Sequence, residues 1–571
     1  MTSLKTAYEG ALATLMQPGS PFEIGRKSYG GVDYLAFLNA PQNLVELLSP
    51  GRNFADQEFL VYQDERYSFG EFFDQSDRLA QQLANRFGIC KGDRVAIAMR
   101  NYPEWLVSFV AIASAGAVVV PLNSWAQTEE LRLNIADAQA SLVICDQERL
   151  ELIDPVALNM PAIVVRSEAA LPESCASFQQ LLSSVASEEV ERALPMHAID
   201  GEDPAMIMYT SGTSGRPKGA LFSHRNCCQA IINLEAVGAV AYMLNTEAFN
   251  QHAQLGMPAK SLLAVPLFHV AGLYSQFLLN LRNGRSIVMM YKWDPVTACH
   301  LIDSEKISVV VGAPSMLLDL VQREEFSAAD TGNLINVSGG GGATPTKLTE
   351  LVQEKVPNAL PGAGWGLTES GAAGTAFTGH PVTAKPGASG FVNPVVELRF
   401  CDEDGNEIAP GTAGEIWIKS PTLISGYINA PEANISDFRD GWFKTGDIGY
   451  LDEDGCMFIC DRVKDMVIRG GENIYPVEVE NCIQSMPGVL RVAAFAVPSE
   501  RLGEELAVVI SCSTEDLAVL TAEGVQQYCQ ERLAKFKVPS FVKFTDVDLP
   551  MNATNKVIKR QVKELFFPTS R

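Results

Sequence analysis

Short runs rich in valine and isoleucine alternate with segments of helical periodicity along the first two thirds of the chain. The runs fall at 94–99, 141–145, 162–165, 205–209, 286–290 and 308–311. Continuous apolar runs bounded by turn residues predict strands buried on both faces. Between them, apolar positions spaced three and four apart over 69–87 predict an amphipathic helix. Strand and helix in alternation argue for parallel βαβ layers. From about residue 395 the texture changes to hairpin-like pieces that turn at Asp404-Gly405 and Asp454-Gly455, as in antiparallel sheet or a small barrel. After Asp461 a short α+β segment runs to the end.

Two uncharged stretches, 105–122 and 261–281, are each long enough to span a bilayer. Their internal order argues for core elements instead. The first reads as a buried helix to about Ala115, a break at Gly116 and a strand over 118–120 stopped by Pro121; the second reads as a short strand, a loop holding Pro266 and His269, and a helix after Gly272. No transmembrane segment is expected. With 571 residues, 47% apolar and 20% charged, the chain has ordinary globular composition and exceeds one core, which excludes a small disulfide scaffold or a lone binding module. A net charge of −24 argues against nucleic acid as the partner. Residues 464–571 carry 13 Lys+Arg against 14 Asp+Glu, so nearly all of that charge lies earlier, and the tail is relatively basic. Twelve irregularly spaced cysteines, with Cys456 and Cys460 lacking the second pair that zinc needs, predict reduced, mostly buried thiols. No secretory or peroxisomal signal is visible at either end, so a cytoplasmic protein is expected. Residues 1–53 carry no motif.

The densest chemical signal is Tyr209-Thr-Ser-Gly-Thr-Ser-Gly-Arg-Pro-Lys218-Gly219, which follows an apolar strand. Its glycines let the backbone approach an anion, its hydroxyls and backbone N–H groups donate, and Lys218 adds charge, so it suits a polyphosphate. It is not a Walker A loop, because Pro217 and Gly219 stand where Gly and Ser or Thr are required. Gly339–Gly342 and Gly362-Ala-Gly364 leave GxGxxG incomplete, so a dinucleotide oxidoreductase is poorly supported.

Six further motifs follow in order: Gly364-Trp-Gly-Leu-Thr-Glu369, Gly414-Glu415, Phe443-Lys-Thr-Gly-Asp447, Asp461-Arg-Val-Lys-Asp465, Gly470-Gly-Glu-Asn-Ile-Tyr-Pro476 and Asn555-Lys556. With the Ser/Thr/Gly loop they make the chain, from about Phe59 to Arg560, resemble the adenylate-forming superfamily of acyl-CoA synthetases, non-ribosomal peptide adenylation domains and firefly-type luciferases. The resemblance implies an α/β plus small α+β fold. A large N-terminal domain, 1–463, would contain two layered βαβ subdomains and a small β-barrel-like subdomain, followed by a mobile C-terminal lid, 464–571. It also implies a reaction in which a carboxylate and ATP form an acyl-adenylate and pyrophosphate, and the acyl group then passes to a thiol. ATP, Mg2+ and coenzyme A are the implied small molecules beside the carboxylic acid substrate; a homodimer stays open.

The resemblance also assigns roles. Thr210, Ser211, Gly212, Thr213, Ser214, Gly215 and Lys218 would cradle phosphates, with Gly339, Gly340, Gly341 and Gly366 lining the nucleotide and acyl site. Thr368 would reach the α-phosphate and Glu369 would hold Mg2+, a cation that suits oxygen ligands and few protein contacts. Trp365 would pack on adenine. Asp447 would bind both ribose hydroxyls as a bidentate acceptor, with Arg462 beside it. Lys556 would act on the carboxylate and α-phosphate as charge gathers there. Its neighbour is Asn555 where the family usually has glycine, and asparagine tolerates positive φ best among the other residues. Lys464 falls at the family's hinge, and Gly470 and Gly471 would line the pantetheine tunnel.

His269, in Pro-Leu-Phe-His-Val-Ala-Gly, would border the substrate carboxylate, and without an Asp there amino acids are poor substrates. Gly366 stands where the acetate-specific branch has a bulky aromatic, so an acid larger than acetate is expected: fatty, aryl or fused-ring. The reading is an ATP-dependent acyl-CoA synthetase; the alternatives are an acyl-adenylate-forming enzyme with a carrier protein or oxygen as acceptor, and a non-catalytic nucleotide-binding protein, disfavoured because Lys556, Glu369 and Asp447 are all present.

Overall fold

The computed structural model describes residues 3–185, 197–210, 217–342, 344–552 and 555–568. Each predicted apolar run becomes a strand: Arg94–Ala98, Leu142–Asp146, Ala162–Val165, Pro204–Thr210, Ser286–Met289 and Val309–Gly312. The predicted amphipathic helix is Phe69–Asn85. Ser68 caps it by accepting from Glu71 N–H while the Glu71 carboxylate accepts from Ser68 N–H, so two otherwise unpaired donors are satisfied.

Two large sheets divide these strands. The first has eight, with Val118–Pro121, Arg94–Ala98, Leu142–Asp146, Ala162–Val165 and Cys175–Ser177 parallel to Pro204–Thr210. Lys218–Ser223 closes its other side antiparallel, and the two-residue strand Gly426–Tyr427 forms the edge. The second begins with parallel strands Glu58–Tyr62, Ser286–Met289, Lys260–Leu263, Val309–Gly312, Asn336–Gly339 and Leu360–Gly366. The antiparallel strands expected after residue 395 do not close into a barrel. Gly390–Val392 pairs with Gly374–Thr378 on one side and Cys456–Arg462 on the other, so both its edges are used and the hairpins extend the second sheet to fourteen strands.

Helices Phe69–Asn85, Pro103–Ser114 and His224–Leu244 lie between the sheets, and one apolar cluster runs from sheet to sheet through them. Separate clusters cover the outer face of each sheet. All twelve residues of Pro103–Ser114 are buried, with proline at its first turn where no N–H partner is needed. Both suspected spans are thus core elements. Helix His224–Leu244 is long and apolar enough to cross a membrane, but more than half of its most apolar window is buried in the protein. Eight of the twelve cysteines are buried and all are free.

The motif-free start contains helix Leu4–Leu15 and the hairpin Ile24–Tyr29/Val32–Phe37. Tyr8 stacks on Phe391 at 4.3 Å and donates to Val392 O at 2.8 Å, so this segment braces the second sheet. At the other end, Arg462 closes the last strand of the second sheet, residues 463–465 turn, and Val467–Arg469 opens a third sheet of five strands with its own core. That lobe rests on the second sheet's helix Pro314–Val321: Arg491 grips Asp319 with bonds of 2.7 and 2.8 Å, and Ser315 Oγ donates to Asn555 O at 2.5 Å.

Candidate active site

The phosphate-loop candidate joins two paired strands, with Thr210 opposite Lys218 in the register. Ser211, Gly212, Thr213, Ser214 and Gly215 lie outside the described residues. Lys218 Nζ pairs with Asp437 at 3.0 Å and sits 4.1 Å over the ring of Tyr427. The Tyr427 hydroxyl donates to Glu369 Oε1 at 2.7 Å.

Thr368 and Glu369 lie in the turn between Leu360–Gly366 and Gly374–Thr378. Buried Ser370 shapes it, accepting from Leu367 N–H and donating to Ala373 O, while Gly371 and Ala372 adopt φ of 60° and 62°. A Cβ at Gly366 would come within 2.5 Å of the Ala372 carbonyl oxygen. The missing side chain of Gly366 faces backbone, so the glycine serves the hairpin.

Trp365 Nε1 donates to Asp447 Oδ2 at 2.8 Å, and Arg462 Nε meets Asp447 Oδ1 at 3.2 Å. Asp447 and Arg462 are opposite residues on paired strands, so backbone register alone brings them together. Burial pushes the Asp447 carboxyl above its ordinary value, against the pull of Arg462, Trp365 and Lys556. Asp447 is therefore an acceptor held by two donors, and the indole is tied to it by a hydrogen bond that the sequence did not signal.

Lys556 reaches this place from the third-sheet lobe. A Cβ on Gly341 would stand 3.7 Å from Lys556 Nζ, so glycine there leaves room for the ammonium. Asn555 has φ 55°, the left-handed geometry expected of it, and Asn552 Oδ1 accepts from Lys556 N–H at 2.9 Å. Protein crowds the ammonium on most sides, while the side chain stays open to solvent through the cleft. Desolvation and the charge of Arg462 lower its pKa to about 8, with Asp447 opposing. His269, just before the π-helix Ala271–Leu278, has an Nε2 without a partner among the described residues; burial and the Lys556 charge lower its pKa to about 4, so it is a neutral imidazole. Gly340 has open space and Gly339 packs on Thr344. Lys464 is exposed in the turn between lobes, and Gly470 and Gly471, with φ of 62° and 91°, form a hairpin turn of the third sheet.

Lys556, His269, Asp447, Arg462 and Trp365 thus converge on one cleft, and Glu369 and Lys218 meet through Tyr427. Tyr427 and Asp437 escaped the sequence reading because neither belongs to a quoted motif.

This arrangement sets a lysine of the C-terminal lobe beside an aspartate–arginine pair and an indole of the large lobe. The family of AMP-binding enzymes matches over residues 49–428, and its C-terminal domain over 478–556. The chain belongs to this family, within the adenylate-forming superfamily. It is 31% identical over 512 residues to the long-chain-fatty-acid–CoA ligase FadD13 of Mycobacterium tuberculosis, covering 89% of this chain and 94% of that one. Among solved structures, ATP-bound MatB from Rhodopseudomonas palustris superposes with a TM-score of 0.78 at 29% identity, covering 92% and 99% of the two chains. The O-succinylbenzoate CoA synthetase of Bacillus subtilis, in complex with ATP and magnesium ion, gives 0.72 at 27% identity over 92% and 99%.

Proposed function

We propose that this chain joins a carboxylic acid larger than acetate to coenzyme A at the expense of ATP, in two steps at one cleft. The chain is an AMP-forming acid–CoA ligase. In the first step a carboxylate oxygen attacks the α-phosphorus of ATP, the bond to the β-phosphate breaks and pyrophosphate leaves. In the second the thiol sulfur attacks the acyl carbon, loses its proton and releases AMP. Negative charge builds on oxygens in both, so the protein's task is positioned cations and donors.

The observation that carries the reading is Lys556 placed against Gly341 and electrostatically coupled to Asp447 and Arg462. Lys556 would meet the carboxylate and α-phosphate, Thr368 the α-phosphate, Asp447 and Arg462 the ribose, Trp365 the adenine and His269 the substrate carboxylate. Thr210, Lys218 and the loop between them would take the β- and γ-phosphates. Glu369 fits Mg2+: Oε1 accepts from Tyr427, no donor meets Oε2 among the described residues, and a lone carboxylate beside phosphates is a ligand set this cation accepts. Bound there, Mg2+ would supply charge neutralisation on the phosphates. Residues 1–463 would form the adenylating body and 464–571 a lid that turns at Lys464, bringing Gly470 and Gly471 to a pantetheine channel. Eight buried free thiols suit a reducing compartment, and we place the enzyme in the cytoplasm. The size of the acid rests on the relatives, named for a long-chain fatty acid and for O-succinylbenzoate.

Pyrophosphate release from Mg·ATP over a panel of acids from acetate to palmitate, benzoate, cinnamate and a steroid side-chain acid, with and without CoA, tests the reading. Turnover should follow one acid class above acetate, with thioester formed only when CoA is present. Lys556→Ala should lose roughly 10²- to 10³-fold in adenylation, as when one charge-stabilising donor is removed. Pyrophosphate without thioester would move the function to another acceptor, and intact exchange in the lysine variant would remove Lys556 from the site.

A further inference from the structure

We propose that Tyr427 is a positioning residue that aims Glu369 and keeps Lys218 away from it. The inference rests on the ligase reading, in which Glu369 is the carboxylate beside the phosphates. Glu369 comes from a turn of the second sheet and Lys218 from the first strand after the phosphate loop, in the first sheet. Tyr427 stands between them on the edge strand Gly426–Tyr427, opposite Ala220. Its hydroxyl donates to Glu369 Oε1 at 2.7 Å while its ring face carries Lys218 Nζ at 4.1 Å.

The two contacts are different in kind. A phenol is a neutral donor, so it fixes the carboxylate and leaves its charge intact. A lysine bonded to the same carboxylate would cancel that charge. The ring face and Asp437, at 3.0 Å, give Lys218 an alternative anchor, which holds it for phosphates. The tyrosine is itself fixed: it is 5% exposed, its N–H donates to Asn434 Oδ1 at 2.7 Å, Asn434 Nδ2 donates back to its carbonyl at 2.8 Å, and Phe438 packs on its ring.

Tyr427→Phe removes the donor and keeps the ring. The expected result is a rise of about tenfold in the Mg2+ concentration for half-maximal acid-dependent pyrophosphate exchange. A matching loss should appear in Mn2+ affinity of the complex with a non-hydrolysable ATP analogue, read by electron paramagnetic resonance with no acid present. ATP-analogue affinity without metal should stay within twofold. In a Glu369→Gln background the same Tyr427→Phe change should leave Mn2+ affinity unmoved, because its target is gone. Equal losses in both backgrounds, as a folding defect would give, or metal affinities within 1.5-fold of wild type, would overturn the inference. Absence of ATP-analogue binding by the wild type would instead overturn the ligase reading beneath it.

Discussion

Lys556 is the group whose protonation should be visible. In the proposed mechanism its ammonium form is the active one, and desolvation and Arg462 outweigh Asp447 to lower its pKa to about 8. A lowered lysine pKa means that the cation is lost as pH rises through 8, so kcat/KM for adenylation should fall tenfold per unit above that point. The nucleotide's phosphates add negative charge beside the ammonium, so the limb in kcat should lie at higher pH. Asp447→Asn, which deletes the opposing anion, should shift the kcat/KM limb to lower pH, and Arg462→Gln should shift it to higher pH. A profile flat to pH 10, or shifts of the opposite sign, would show that another group governs the step. His269, at about 4, adds no limb in this range.

At the scale of elements, the turn that carries Thr368 and Glu369 is set by backbone clearance. Gly366 faces Gly374 across the hairpin, and Ala372 already holds φ 62°, a conformation costing a residue with Cβ roughly 1–2 kcal/mol. Adding Cβ at Gly366, 2.5 Å from the Ala372 oxygen, should therefore destabilise by about 1–3 kcal/mol and displace the turn. Gly340→Ala, with open space around its Cβ, should leave urea stability within about 0.5 kcal/mol. Equal stability of the two variants would mean the hairpin relaxes freely. Gly366 also marks the limit of what the sequence discloses. Its place in the motif is legible, but the direction of its missing side chain depends on a hairpin register that no motif states. The strands were legible because double-sided burial leaves nearly unbroken runs such as Val118–Pro121. The hairpins after 395 were legible as hairpins; what their outer edges pair with is set by Gly390–Val392, too short a strand to read. The Tyr427–Glu369 bond joins residues 58 apart through two different sheets, beyond any local pattern.

At the scale of the whole molecule, the lysine-bearing lobe is tied to the body by the Arg491–Asp319 pair, in which one guanidinium nitrogen meets both carboxylate oxygens, by Ser315 on Asn555, and by Val477 N–H on Asp461. Arg491 also reaches Asp548 at 3.1 Å within its own lobe, so it has a partner to keep when Asp319 is lost. In the proposed two-orientation cycle this grip belongs to adenylation and must break before thioester formation. The two half-reactions should therefore respond oppositely to two substitutions. Lys464→Pro stiffens the turn and should spare adenylation while slowing thioester formation from preformed acyl-adenylate. Asp319→Asn weakens a part-buried, charge-assisted pair worth about 1 kcal/mol, which corresponds to roughly fivefold in the population of the closed lobe. It should slow pyrophosphate exchange by up to that factor and leave thioester formation unchanged or faster. Rapid-quench measurement of each half-reaction separates the cases. Because Asp319 bonds Arg491 of the other lobe, a loss in the thioester step with Asp319→Asn, or equal losses in both steps with Lys464→Pro, would mean that one fixed orientation of the lobes serves both reactions.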